Sequence, residues 1–374
     1  MKKALLLAPM GSVHRRFNKA NIEALKDLSY EVHLLANFSD GDGAESKNSF
    51  FAKNCEENGI KIHSIPFSRH SLLKNIKYVK SIKKLFKEEE FDIIHAHTET
   101  GGLLLRMSYK SAKKSCNFFY TPHGMSFYKG SSFKSQIIYK PIEKWICKKM
   151  DCTLPINLEE KFWLDKWKCK NAFVHGIGLD LTRFFDAKFS KNYLQQECNI
   201  PANKYSVVSV GELDSNKNHK VVIEAISKIS FKKDINYLIC GVGPMERDLR
   251  DYAKSLGVNL YLTGFRYDIP EILAQCNLFV FPSFHEGLAV ALLEAMAAGV
   301  PVVASKIRGN TDLIENDSNG CIVEDNSVDE YSAKIKELLE EENLRTRYAI
   351  KSKEIVEKYS FDNVRKELYK VYAK

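Results

Sequence analysis

Glu286 and Glu294 stand eight residues apart in the largely apolar stretch Pro282–Val303, PSFHEGLAVALLEAMAAGVPVV. A carboxylate among apolar neighbours is costly unless it finds a partner. The first follows a strand-like run, Asn277–Phe281, and the second lies inside a run that reads as a helix over Leu288–Ala298. Helical side chains lean toward the helix N-terminus, so Glu294 leans back toward Glu286 and Gly287. Open backbone N–H groups at a helix start after Gly287 would seat a phosphate. One carboxylate at the mouth, an anion seat and a second carboxylate about two turns in, roughly 11 Å along the axis, together suit a nucleotide sugar.

Other side chains able to do chemistry also fall where strands should end. Lys217 occupies a strand-to-helix turn after Gly211, where an ammonium can neutralise charge on a departing diphosphate. His123, in Thr121-Pro122-His123-Gly124, follows a strand, and a neutral imidazole there can hydrogen-bond a sugar hydroxyl. His95 and His97 end another strand and resemble a metal pair only superficially, with no carboxylate or cysteine at ligand spacing. Gly241-Val242-Gly243-Pro244 lacks the third glycine and the later acid of a dinucleotide fingerprint, and reads as a tight turn near a nucleotide. Asp40-Gly41-Asp42 reads as a solvated turn rather than a metal-binding D-x-D.

These positions require a particular scaffold. Strand-like and helix-like runs alternate throughout the 374 residues, which implies parallel sheets with helices on both faces. The spacing predicts strands at Lys3–Ala8, Glu31–Ala36, Lys61–Ile65, Phe91–Ala96, Asn117–Thr121 and Cys152–Ile156 in the first half. Ser206–Val210, Asn236–Cys240, Asn259–Leu262, Asn277–Phe281, Val300–Ala304 and Gly320–Val323 repeat the design in the second. The expected architecture is α/β, two Rossmann-like doubly wound domains facing across a cleft. They span 1–184 and 185–357, linked through Val174–Phe184, and a last helix of about 358–374 returns to the first domain. Ligands of such sheets bind beyond the carboxyl ends of strands, and the motifs above all fall there.

Charge is uneven. The chain carries 56 Lys+Arg and 47 Asp+Glu, a net +9, but residues 1–184 alone hold +12. Within 101–150 stand ten basic residues and one acid, Glu143, interleaved with Phe127, Tyr128, Phe133, Ile137, Ile138, Tyr139 and Trp145. That pattern suits an anionic membrane surface or a pyrophosphate lipid; a solvated helix face is the competing reading. No nucleic-acid motif accompanies it. Nine scattered cysteines without a C-x-x-C argue for reduced thiols in a cytoplasm, against a disulfide frame or a zinc site. No apolar run reaches 18 residues, and Ala4–Ala8 is too short for a signal peptide and reads as a first strand.

Taken in order, APMGS, HAHTETGG, YTPHGMSFYKG, HGIGLDLTRF, VGELDSNKNH, CGVGP, TGFRYDIPEIL and FHEGLAVALLEAMAAGVPVV make the chain resemble the GT-B retaining glycosyltransferases of family 4, over essentially its full length. The likeness is greatest to those that build bacterial capsule, exopolysaccharide and O-antigen. The last string is that family's E-x7-E motif, highly specific where the others are weak singly. The resemblance implies that Glu286 sits against the donor sugar and that Glu294 binds the ribose, since a carboxylate can accept from both diol hydroxyls. Gly287 and Leu288 would approach the diphosphate through backbone N–H groups. It further implies that Gly11 lets backbone approach the phosphate or the acceptor, that Gly211 and Lys217 serve the diphosphate, and that Arg266 lies where the base is cradled. His123 would face the reacting sugar, with His97, Phe127 and Tyr128 on the acceptor side and His95 as packing.

The sequence departs from the family at Glu212, where an arginine is usual. Either Lys217 works with another base such as Arg266, or Asn216 and Asn218 supply donors. The implied activity is a retaining transfer from a UDP-hexose or UDP-N-acetylhexosamine to a lipid-linked saccharide. It would need no metal or other cofactor and would take place at the cytoplasmic face of the inner membrane, with the chain bound peripherally and without nucleic acid. A nucleotide-sugar 2-epimerase and a soluble-acceptor glycosyltransferase share the architecture and stand as alternatives.

Overall fold

The computed structural model describes residues 1–39, 45–68, 72–185 and 192–374. The first sheet is built from Lys3–Met10 (β1), Glu31–Asn37 (β2), Lys61–Ser64 (β3), Ile93–His97 (β4), Asn117–Thr121 (β5) and Cys152–Thr153 (β6), all parallel, in the order β3-β2-β1-β4-β5-β6. The second is built from Tyr205–Val210 (β7), Ile235–Cys240 (β8), Asn259–Gly264 (β9), Leu278–Phe281 (β10), Val302–Ser305 (β11) and Cys321–Val323 (β12), also parallel, in the order β12-β11-β10-β7-β8-β9. Central strands covered on both faces must be apolar without alternation; Ala4 through Ala8 are accordingly fully buried. Strand order reverses between β1 and β4 in one sheet and between β7 and β10 in the other. Those reversals are where an open α/β sheet opens a crevice for ligand.

The chain divides into two compact units, Met1–Gly178 with Phe361–Lys374, and Leu179–Ser360. The boundary expected after residue 184 thus falls earlier, because Leu181 and Phe184 are buried with Phe279 and Leu292 in the second unit's core. The last helix, Phe361–Tyr372, lies against Lys19–Asp27 in the first unit, burying Val364, Leu368 and Tyr372 with Ala20 and Leu25. Residues 358–360, expected with that helix, belong to the second unit, where Ser360 bridges Leu179. All nine cysteines are free thiols. Asp40-Gly41-Asp42 lies outside the described residues.

Candidate active site

In the second unit the loops leaving β7 and β10 are stitched to each other at the sheet's reversal. Phe284 N–H donates to the Asn216 carbonyl at 2.8 Å, and the Asn216 amide donates to the His285 carbonyl at 3.1 Å. Lys217 folds back over Gly211, where a Cβ would stand 3.0 Å from Lys217 Cε. Its ammonium meets Glu286 Oε1 at 2.6 Å and lies 5.0 Å from the centroid of the Phe281 ring. The two residues singled out from separate motifs are therefore an ion pair, both largely buried. Gly241 and Gly243 serve a close approach: Cβ atoms there would lie 1.8 Å from the Gly211 carbonyl oxygen and 2.5 Å from that of Leu213. The loop after β8 is thereby fastened to the loop carrying Lys217.

The helix bearing Glu294 runs Val290–Ala298, two residues later than expected, after an extended Ala289 that offers no side-chain cap. Gly287 and Leu288 belong to the preceding loop, and Glu294 lies about one turn into the helix rather than two. Enclosure by protein raises the Glu294 carboxyl to about 7, with Arg183 pulling the other way. Arg266 is gripped by Asp268 through its Nε at 2.8 Å and through Nη2, and Tyr193 donates to the same carboxylate at 2.6 Å. That carboxylate raises the pKa of the guanidinium.

Sequence reasoning missed Arg308, on the loop after β11. Its Nε donates to the Glu286 carbonyl at 3.1 Å, and its Nη2 lies 2.7 Å from His285 Nε2. His285 is lowered to about 4, first by burial and then by Arg308, so its ring is neutral and accepts from the guanidinium. The signal was present in Arg308-Gly309. Gly309 has φ +80°, and a Cβ on it would sit 2.8 Å from the Gly287 carbonyl, so this turn must press against the Glu286–Leu288 loop.

In the first unit, Gly11 opens a helix, Gly11–Phe17, directly after β1, and a Cβ on it would stand 2.7 Å from the Phe38 ring. Close packing accounts for that glycine. His97 ends β4 and is buried, with Nδ1 3.0 Å from His123 Nε2. His123 holds φ +59°, uncommon for a side-chain-bearing residue, and stacks on Phe17. Burial lowers His123 to about 4 and His97 well below its ordinary value, so both rings are neutral. His95, expected as packing, does more: it is hydrogen-bonded to Tyr372 at 2.6 Å and Thr121 at 2.9 Å, tying the last helix to the sheet.

Glu160, also missed, fixes the His123 loop. Its Oε1 accepts from Gly124 and Met125 N–H, each at 2.9 Å, and its Oε2 accepts from Ile156 N–H at 3.0 Å. Asn157-x-x-Glu160, with Asn157 capping the helix Leu158–Lys166, is the spacing that could have revealed it. Phe127 is corrected: it is 1% exposed and packs on Trp163 and Trp167, so it is a core residue rather than an acceptor contact. Tyr128 is half-buried on the loop beyond it.

The fold and these strand-end sites define a class, the two-domain glycosyltransferases of GT-B architecture. Among solved structures the chain resembles HepE of Anabaena, a UDP complex, with TM-score 0.79 and 18% identity over 99% of both chains. The family description "Glycosyltransferase Family 4" matches residues 16–177, and "Glycosyl transferases group 1" matches 190–355. Together the two matches span most of the chain, and the protein belongs to this family of enzymes. EpsD of Bacillus subtilis (strain 168) is 27% identical over 100% of this chain and 96% of its own. The UDP-Gal:alpha-D-GlcNAc-diphosphoundecaprenol alpha-1,3-galactosyltransferase of Escherichia coli is 28% identical over 87% of this chain and 84% of its own.

Proposed function

We propose that this glycosyltransferase moves a sugar, with retention, from a UDP-sugar to a saccharide carried on a polyprenyl diphosphate during surface polysaccharide assembly. The observation that carries the donor half is the Lys217–Glu286 pair at the β7/β10 reversal, with Glu294 behind it. In this reading Glu286 meets the donor sugar and Glu294 the ribose diol, and His123 meets the reacting sugar. Lys217 turns to the diphosphate as charge develops on the leaving oxygen. No enzyme nucleophile is used: the leaving diphosphate takes the acceptor's proton, and the rate rests on orientation and charge stabilisation. The reaction needs no divalent metal.

The acceptor half is supported by the name of the Escherichia coli relative, whose substrate is a diphosphoundecaprenol-linked sugar. It is supported also by the helix Phe133–Cys147, which exposes Phe133, Ile137, Ile138 and Trp145 among lysines. The face suits an anionic bilayer surface; no described helix is long and apolar enough to cross one. The test is nucleotide release from a panel of UDP- and GDP-sugars, in chelator, with and without a lipid-diphosphate saccharide. Acceptor-dependent release from one UDP-sugar is expected. Epimer formation without acceptor would replace the reading with 2-epimerase chemistry, and activity restored only by Mg²⁺ or Mn²⁺ would refute the metal-independent step.

A further inference from the structure

Where the family carries an arginine after the β7 glycine, this chain carries Glu212, an exposed carboxylate. The loop leaving β7 then holds Glu212, Asp214 and Lys217, and the loop leaving β10 adds Glu286. The one ammonium among them is already matched by Glu286 at 2.6 Å. Such a lining is net negative, and a nucleoside diphosphate would meet repulsion there unless another cation faced it. Arg266 is gripped by Asp268, and Lys306 pairs with Glu324 at 2.5 Å. Asn216 has its amide on the His285 carbonyl.

Arg308 reaches the same place from β11. It holds the carbonyl of the very residue whose carboxylate pairs with Lys217, and the neutral His285 ring bonds its Nη2. Gly309 presses this turn onto Gly287 so closely that no side chain fits between. The guanidinium is thus oriented before any ligand arrives, and its planar fork matches phosphate oxygens in a way a lysine does not.

We propose that Arg308 is a donor-binding residue that contacts the diphosphate of the sugar nucleotide, replacing from β11 the charge that Glu212 removes from the β7 loop. The assignment rests on the donor reading above. Recruiting the cation from a different strand also leaves Lys217 paired with Glu286 until substrate enters.

The experiment is calorimetric titration of UDP and GDP, and of uridine and guanosine, into the full chain and its variants, each checked for an unchanged melting profile. Whichever diphosphate binds the unaltered chain should bind Arg308→Gln about 10- to 100-fold more weakly, the range for losing a charged hydrogen bond. Its nucleoside should bind both alike. Arg308→Lys should fall between, and Glu212→Arg combined with Arg308→Gln should regain most of the loss. Equal losses for nucleotide and nucleoside would mean that Arg308 only braces the Glu286 loop, and would overturn the proposal. So would unchanged diphosphate affinity in both Arg308 variants. Failure of the unaltered chain to bind either nucleotide would sink the donor reading itself, and the proposal with it.

Discussion

Glu294 is the residue whose environment speaks most directly about its ligand. Its pKa of about 7, against an ordinary 4.5, means that the folded chain holds this proton more tightly than the unfolded chain. Stability therefore falls as pH rises from about 4.5 through 7, by on the order of 3 kcal/mol. Glu294→Gln should match the unaltered protein at pH 4.5 and be the more stable of the two at pH 8, as read by thermal melts. A ribose diol donates to the ionised carboxylate, so nucleotide binding near pH 6.5 should release a proton, seen by calorimetry in two buffers of different ionisation enthalpy. Proton uptake, or release persisting in Glu294→Gln, would contradict the ribose role. Lys217 gives a second residue-scale outcome: Lys217→Ala should lower kcat by about 10²–10³ and, because it leaves the Glu286 carboxylate without its partner, should also lower the melting temperature; an unchanged kcat would take Lys217 out of the site. Both residues were legible in the sequence because a carboxylate in an apolar run and a lysine after a strand-end glycine are local signals. Arg308 and Glu160 were not, because what singles them out is the backbone they touch 22 and 35–36 residues away.

At the scale of elements, all twelve strands stand close to where the alternating runs placed them; the central ones are buried on both faces and write unbroken apolar runs, while the edge strands β3 and β9 are partly exposed and mixed in polarity. Helix boundaries were less legible. Where the sequence suggests one helix over Phe17–Leu28, the structure has Lys19–Asp27, preceded by a further helix, Gly11–Phe17, and parted from it at Asn18, whose side-chain amide reaches His14 instead of solvent. Leu158–Lys166 was missed because its exposed side includes Leu158 and Phe162, which erases the polar face that marks an amphipathic helix. That helix bears on the candidate site, since it carries the carboxylate that clamps the left-handed His123 turn. Glu160→Gln replaces one acceptor oxygen by an amide donor facing backbone N–H groups. It should cost about 1–3 kcal/mol of stability. It should also lower kcat more than it raises KM for the donor, because it displaces His123 and leaves the nucleotide loops of the second unit intact. An unchanged kcat in a variant that melts lower would show that the clamp is structural only.

Across the whole molecule the two units differ in charge, and the excess of Lys and Arg in the first half coincides with exposed apolar side chains on one helix. Phe133 is 80% exposed and Ile137 55% exposed, four residues apart on Phe133–Cys147, and Lys134 and Lys144 are exposed on the same helix. The opposite side of that helix buries Glu143, Ile146 and Cys147. Tyr120 donates to the Glu143 carboxyl, whose pKa burial raises far above the usual range, so the segment's single acid is neutral and inward. The outward face is consequently cationic without opposition from its own helix. A surface of this kind binds in two additive ways, by apolar insertion and by attraction to anionic headgroups at about 1 kcal/mol per basic residue. Sedimentation with vesicles containing anionic lipid should therefore retain the protein at low salt and release it as salt rises, while neutral vesicles retain little. Phe133→Ser with Ile137→Ser should weaken anionic-vesicle binding by about tenfold or more and lower the melting temperature only slightly, because Phe133 is mostly in water and Ile137 about half so. Turnover of a short, water-soluble acceptor should be untouched in that variant, while turnover of the lipid-linked acceptor in vesicles falls. If both acceptors are used equally well by the variant, or if neutral and anionic vesicles retain the protein alike, the face is a solvated helix and the acceptor is met in solution.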